Sequence, residues 1–210
     1  MKTSPLLSCF AEDAFEFGRC GDMTVALKSI RPRPAELYLA DLSALRKFLI
    51  VGAGAAAWLG TQGLAAPDWF KRCRGDQDRW VARLGNARYL LSEGPLAPGE
   101  LWLTPGRMSD DVLVLAQGSV EIALGGPAAA TLLNEFCAID LGIAASDDWI
   151  PVQLAQLDVG LYRDVGEFHV ICAPADGQFL FATLATALTT QGGAVLGYQD
   201  YQRVPRGAIE

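Results

Sequence analysis

Histidine is all but missing from this chain of 210 residues: His169 is the only one. A single imidazole excludes multi-histidine metal centres and leaves any His-based triad resting on one position. Cysteine is sparse and unpatterned. Cys9, Cys20, Cys73, Cys137 and Cys172 are odd in number and form no C-x-x-C pair, so neither a disulfide framework nor a metal site is expected. No apolar run approaches the ~18 residues that a membrane helix needs. The opening stretch MKTSPLLSCFAEDAFEFGR has one Lys, a very short apolar stretch and then acids, too little apolar core for a signal peptide. A cytoplasmic location with no membrane partner is the expectation. Basic charge is also in deficit: 17 Lys and Arg stand against 24 Asp and Glu, a net charge of −7. The cations are scattered, so nucleic acid is not expected as a partner. Their densest cluster, Lys71-Arg72-Cys73-Arg74, runs into Gly75-Asp76 and reads as a solvated turn.

What the chain does have is apolar bulk. It is 51% hydrophobic and 20% charged, the balance of a globular protein with a real core, on the scale of one sizeable domain or two small ones. Residues 1–34 read as an arm leading into a first strand at 23–30, broken by Arg31-Pro32-Arg33-Pro34. Regular patterning begins at Ala35. Strands are expected at 47–51, 79–84 and 88–91, the last two joined through Gly85-Asn86 as a hairpin. More follow at 111–116, 119–124, 149–157, 161–163 and 166–172, with a short one at 101–103. Helices are expected at 54–63, burying Ala56, Trp58 and Leu59, at 127–136, and at 176–190, where Phe179, Leu180, Leu184 and Leu188 form the apolar stripe. The polar stretch 198–210 is either a docking arm or a disordered tail.

The run Gly52-Ala53-Gly54-Ala55-Ala56-Ala57 fits G-x-G-x-x-A, the phosphate-binding turn of dinucleotide folds. Two observations argue against that use. A second parallel strand ending in an acid is needed about 20 residues on, and Pro67-Asp68-Trp69-Phe70-Lys71-Arg72 is not one. The stretch also has an internal echo. KFLIVGAGAAAWL (47–59) aligns with VEIALGGPAAATLL (120–133) at an offset of 73, Gly52 meeting Gly125, and Pro127 falls near the first helical position, where its missing N–H is harmless. The shared element is a strand turning through glycine into an alanine-rich helix. Two related strand-helix-hairpin halves, about 41–95 and 111–190, within one α+β domain at 35–197 are therefore expected.

These residues also carry a family resemblance. DLSALRKFLIVGAGAAAWL (41–59) and GDQDRWVARLGNARYLL (75–91) are similar to the folate-binding domain of glycine-cleavage aminomethyltransferases. SVEIALGGPAAATLLNEFCAIDL (119–141) resembles the gamma subunits of heterotetrameric sarcosine oxidases, matching a Gly-Pro-x-Ala helix and then Cys137, Asp140 and Leu141. The resemblance implies an aminomethyltransferase N-terminal-like, folate-binding-domain-like fold. It also implies departures. The family's acidic pair falls on Gln77-Asp78, and its pterin-gripping Gly-Phe-Glu falls on Glu167-Phe168-His169. A carboxylate accepts two hydrogen bonds from a pterin edge, whereas neutral His offers one donor and one acceptor.

The expectation is a gamma-type subunit without catalytic residues, partnered by the other subunits of a sarcosine-oxidase-like complex. No cofactor is expected on this chain, with flavin and tetrahydrofolate held by the partners. The alternative is a stand-alone tetrahydrofolate-binding or methyl-transfer protein, whose ligand groups would be Asp78, Asp140 and His169. Trp69 and Phe70, beside the basic cluster, are the interface candidates. Asp147-Asp148 reads as a turn before a strand, and Cys137 as helix-end packing.

Overall fold

The computed structural model describes residues 2–31, 36–76, 79–94 and 103–205. In chain order it opens with β1 (Lys2–Thr3), β2 (Phe15–Cys20), β3 (Met23–Ser29), β4 (Tyr38–Asp41), β5 (Lys47–Val51), α1 (Ala55–Thr61), β6 (Arg72–Arg74), β7 (Trp80–Gly85) and β8 (Arg88–Ser92). After these come β9 (Gly106–Ser109), β10 (Val112–Gln117), β11 (Val120–Gly125), α2 (Ala129–Asn134), β12 (Ile150–Leu154), β13 (Leu157–Asp164), β14 (Glu167–Cys172), α3 (Pro174–Thr190), β15 (Ala194–Leu196) and α4 (Tyr198–Gln202).

The chain divides into two compact units, one of Met1–Ala44, Ser119–Ser146 and Pro151–Glu210, the other of Leu45–Gly118 and Asp147–Ile150. The first holds a three-stranded sheet, β1-β3-β2, and a six-stranded sheet in the order β12-β13-β14-β11-β4-β15. The second holds a six-stranded sheet in the order β6-β7-β8-β5-β10-β9. Residues read from sequence as an N-terminal arm thus supply a small sheet, and Tyr198–Gln202 of the polar tail forms a short helix with Tyr198 and Tyr201 buried.

β4 directly precedes β5 in the chain, yet the two do not pair. β4 joins β11, with Tyr38 opposite Gly125 and Asp41 opposite Ile122. β5 joins β8 and β10. The chain turns from one sheet to the other after β4 through an Asx turn: Asp41 Oδ1 accepts from the Ser43 amide at 2.9 Å and its Oδ2 from the Ser4 hydroxyl at 2.5 Å. The Asp-x-Ser pattern is thereby explained by backbone geometry.

The two glycine turns match, but not in the sequence register. Gly52 (φ +126°) and Gly126 (φ +114°) both lie where L side chains are strained, and a Cβ on either would overlap a backbone carbonyl oxygen, of Asp111 and of Glu36 respectively. The structural offset is therefore 74 and not 73. Gly125 is a strand residue, kept small for another reason given below. At the corrected offset, Ala55 and Leu59 of α1 coincide with Ala129 and Leu133 of α2, and all four are buried. Ala56, expected in the core, is exposed.

The dinucleotide reading fails on this geometry. Both neighbours of β5 are antiparallel to it, and α1 is a short helix of 7 residues. The space beside Gly54 is filled by the Asp111 carboxylate, which would repel a phosphate.

In α3 the buried residues are Gly177, Leu180, Phe181, Leu184 and Leu188. Phe179 is 59% exposed, so Phe181 takes the place the apolar stripe had given it. The expected strand at 101–103 falls largely outside the described residues. In the second unit, Phe48, Ile50, Val81, Tyr89, Leu91, Val112 and Val114 pack with Ala55 and Leu59, and Trp58 lies partly buried against them.

Candidate functional site

β11 and β14 are buried along their whole lengths, yet VEIALG and EFHVIC each carry ionisable side chains. Burial of charge is costly unless the groups satisfy one another, and pairing register arranges that. Ala123 stands opposite His169, Gly125 opposite Glu167, Tyr162 of β13 opposite His169, and Tyr38 opposite Gly125. Directly opposed residues share a face, and alternation adds Glu121 to it.

The result is a closed hydrogen-bonded cluster. His169 Nδ1 lies 2.8 Å from Glu121 Oε1, and its Nε2 lies 3.0 Å from Glu167 Oε1. Tyr162 donates to Glu121 Oε1 at 2.9 Å and stacks on the imidazole, with 4.4 Å between ring centroids and 10° between planes. Glu167 also accepts from Tyr201 of α4 at 2.8 Å and from Tyr38 at 3.0 Å. None of the six residues is more than 6% exposed.

Ionised carboxylates only accept, so an imidazole bonded through both nitrogens to two of them is an imidazolium. Burial, the largest single influence on His169, lowers its pKa. The Glu167 charge, the hydrogen bonds to Glu121 and Glu167 and the Glu121 charge together outweigh burial and raise it to about 9. Chemically, the cluster holds a proton between two carboxylates and ties β4, β11, β13, β14 and α4 together. The small residues at 123 and 125 make room for it: a Cβ on Gly125 would overlap the ring of Tyr38 as it crosses to Glu167.

The sequence-predicted positions do not converge on this cluster beyond His169. Asp140 is exposed and caps its own 3₁₀ turn, accepting from the Gly142 amide at 2.8 Å and from Asn134 Nδ2 at 3.3 Å. Asp78 lies outside the described residues. Asp147 and Asp148 both pair with Lys71, at 3.2 and 2.7 Å, and Cys137 Sγ contacts the Ile139 carbonyl at 3.3 Å, just beyond α2. Trp69 and Phe70 are 51% and 47% exposed. Phe70 has φ +52°, and the Arg83 guanidinium lies 4.7 Å from the Trp69 ring. Sequence reasoning missed Glu121, Glu167, Tyr38, Tyr162 and Tyr201 as members of a site. The available signal was the presence of ionisable residues inside two strands otherwise reading as core, Glu121 in β11 and Glu167 with His169 in β14.

No family model and no curated protein matches the chain. Solved structures do. Glycine cleavage system aminomethyltransferase T from Bartonella henselae superposes with a TM-score of 0.71 over 94% of this chain, at 16% identity. The fold is aminomethyltransferase-like. This chain spans 60% of the length of that transferase. A chain of heterotetrameric sarcosine oxidase from Corynebacterium sp. U-96, solved in complex with pyrrole 2-carboxylate, matches with a TM-score of 0.61 at 19% identity, over 75% of this chain and 87% of its own length. The aminomethyltransferase-like fold is thus α+β, with mixed sheets and few helices. Among the described residues no helix is long and apolar enough to cross a membrane, and no group of three or more His, Cys, Asp or Glu is placed to hold a metal ion.

Proposed function

We propose that this chain is a non-catalytic, gamma-type subunit of a sarcosine-oxidase-like complex that oxidises an N-methyl amine. In this reading it works in the cytoplasm and packs on the large folate-binding subunit. Flavin and tetrahydrofolate belong to the partner subunits. The observation that carries the reading is the likeness to a chain of a heterotetrameric oxidase over 87% of that chain's length, which makes the two chains similar in extent.

The buried cluster supports it. His169 stands where the resemblance places a pterin-gripping carboxylate, but both its nitrogens face Glu121 and Glu167. Both oxygens of Glu167 are engaged as well, by His169, Tyr201 and Tyr38. These side chains do not fit a folate, because the imidazole and the Glu167 carboxylate are taken up by one another and by the tyrosines. The cluster is a structural clasp. In this reading the two six-stranded sheets descend from one duplicated unit, as the 74-residue offset of the glycine turns suggests. Trp69, Phe70 and Arg83 supply an aromatic and cationic contact of the kind enriched at protein interfaces.

The test is purification of the tagged full-length chain from its native cells with mass spectrometry of the eluate. Stoichiometric recovery of a large and a smaller flavin-linked partner is the expected result; recovery of the chain alone overturns it. The alternative, stand-alone tetrahydrofolate binding or methyl transfer, is favoured by the higher superposition score with the transferase. Titration of the isolated chain with tetrahydrofolate decides it: saturable binding supports the alternative, and no binding removes it.

A further inference from the structure

The outer face of α3 is uncharged to an unusual degree for a surface helix of an acidic protein. Over 17 residues its one ionisable side chain is Asp176, in the first turn. Phe179, Ala182, Thr186 and Thr189 lie on its exposed side. The threonines do not make that side polar. Thr183, Thr186, Thr189 and Thr190 each donate to the helix carbonyl four residues back, at 2.7 to 3.0 Å. Hydroxyls bonded back in this way are satisfied inside the helix and leave methyl groups to meet a neighbour.

Beside this face lies a cavity of about 560 Å3, lined by Phe15, Phe179, Phe181, Ala182, Ala185 and Val195 among others. Its surroundings carry more acid than base. Ala11, on its wall, runs directly into Glu12 and Asp13; Glu12 lines one adjoining depression, Asp13 lines another together with Arg31, and Asp176 sits at the start of the helix. An apolar centre depleted in charge and ringed by polar groups is the anatomy of a protein interface.

We infer that the outer face of α3 and the adjoining cavity dock into an apolar groove with a basic rim on a larger protein. The inference rests on the subunit reading and gives that subunit its contact surface. Area decides against a second copy of this chain. A helix of this length is about 25 Å long and ~10 Å across, so two copies laid helix on helix would cover a strip far below the about 800 Å2 per partner of a stable interface. A grooved partner covers the flanks of the helix and fills the cavity too. Three carboxylates against Arg31 around the cavity favour a partner edged with Lys or Arg.

The experiment places a photo-crosslinking amino acid at position 182 of the full-length chain in its native cells, with position 61, at the exposed end of α1, as control. Ala182→Arg and Phe179→Glu are purified in parallel, with their thermal unfolding compared with that of the unsubstituted chain, since both positions are exposed. The expected result is a crosslink from 182, absent from 61, to an apolar segment of the co-eluting larger partner. Recovery of that partner should fall by roughly tenfold or more in both variants with unfolding unchanged. If the partner co-elutes but 182 does not crosslink to it and both variants retain it, this inference is overturned and the subunit reading stands. If nothing co-elutes with the unsubstituted chain, the subunit reading falls and takes this inference with it. Crosslinks to a second copy, or to lipid, overturn the inference as well.

Discussion

The ring of Tyr38 occupies the space that any side chain on Gly125 would need. That is how a tyrosine on β4 reaches across β11 to a carboxylate on β14. Gly125→Ala should therefore destabilise the protein by about 1–3 kcal/mol, the usual cost of overfilling a packed site. Tyr38→Leu, itself destabilising, should recover part of that loss when combined with Gly125→Ala. Urea unfolding of both single variants and the double variant measures the coupling; strictly additive effects would show that the two residues do not compete for space.

Stability should fall as pH rises from neutrality into the alkaline range. Unfolded, the imidazole has its ordinary pKa of 6.5; folded, His169 is raised to about 9. The fold thus prefers the protonated ring. Its contribution is complete below pH 6.5 and is lost as pH climbs through 9, in total on the order of 3 kcal/mol. Cys172, whose thiol burial and Asp176 push up to about 11, stays outside that window. His169→Gln should be less stable at pH 6 and show a flatter profile between pH 6.5 and 9. A parallel profile for the two proteins would refute the imidazolium.

Each tyrosine bonded to Glu167 should matter alone. Tyr201→Phe and Tyr38→Phe remove one donor each from a buried carboxylate, and hydrogen bonds to charged groups contribute about 1.5–3 kcal/mol. Tyr201→Phe should in addition loosen α4, which is also held by burial of Tyr198 and by Asp200 accepting from the Ser29 amide at 2.6 Å. Hydrogen exchange at residues 198–202 reads this directly. Protection there that matches the unsubstituted chain would remove Tyr201 from the clasp.

Glycines that look alike in sequence should respond in opposite ways. Gly52→Ala and Gly126→Ala both force a Cβ into a carbonyl oxygen at positive φ, and each should cost more than about 3 kcal/mol or abolish folding. Gly60, near the end of α1, has open space around it. Gly60→Ala should stabilise by about 0.5–1 kcal/mol. Thermal melts of the three variants separate the two kinds of glycine; equal tolerance at 52 and 60 would contradict the turn geometry.

The periodic elements were legible because their signals are local. β5, the β7–β8 hairpin, β14 and most of α3 lie where hydrophobic pattern and turn residues put them. β4 was not, because Tyr38–Asp41 is a short buried strand just after a proline-rich break and has no alternation to reveal it. The echo between the two glycine turns was visible, but its register slipped by one. Sequence alone cannot tell a glycine that turns the chain, Gly126, from one that admits a tyrosine, Gly125. Of the buried cluster only His169 was singled out. Its partner Glu121 lies 48 residues away in the chain, and nothing local connects them. The solvent-facing place of Phe179 escaped for a related reason: helical spacing gives the period of a stripe but not which of two phenylalanines, one on each side of Leu180, faces inward.

The exchange of strands between the sheets sets a timetable for synthesis. β4 must wait for β11, whose Ile122 pairs with Asp41 only after about eighty further residues have been made, roughly 4–16 s at ordinary elongation rates. β15, its other neighbour, emerges later still. The sheet built on β5 can close once β10 appears, before β11 exists. The nascent chain therefore assembles its middle first, carrying an unpaired β4 with Leu39 and Ala40 uncovered meanwhile. A ribosome stalled near residue 118 would display a strand with nothing to pair with, and that is the interval in which this protein most needs a chaperone.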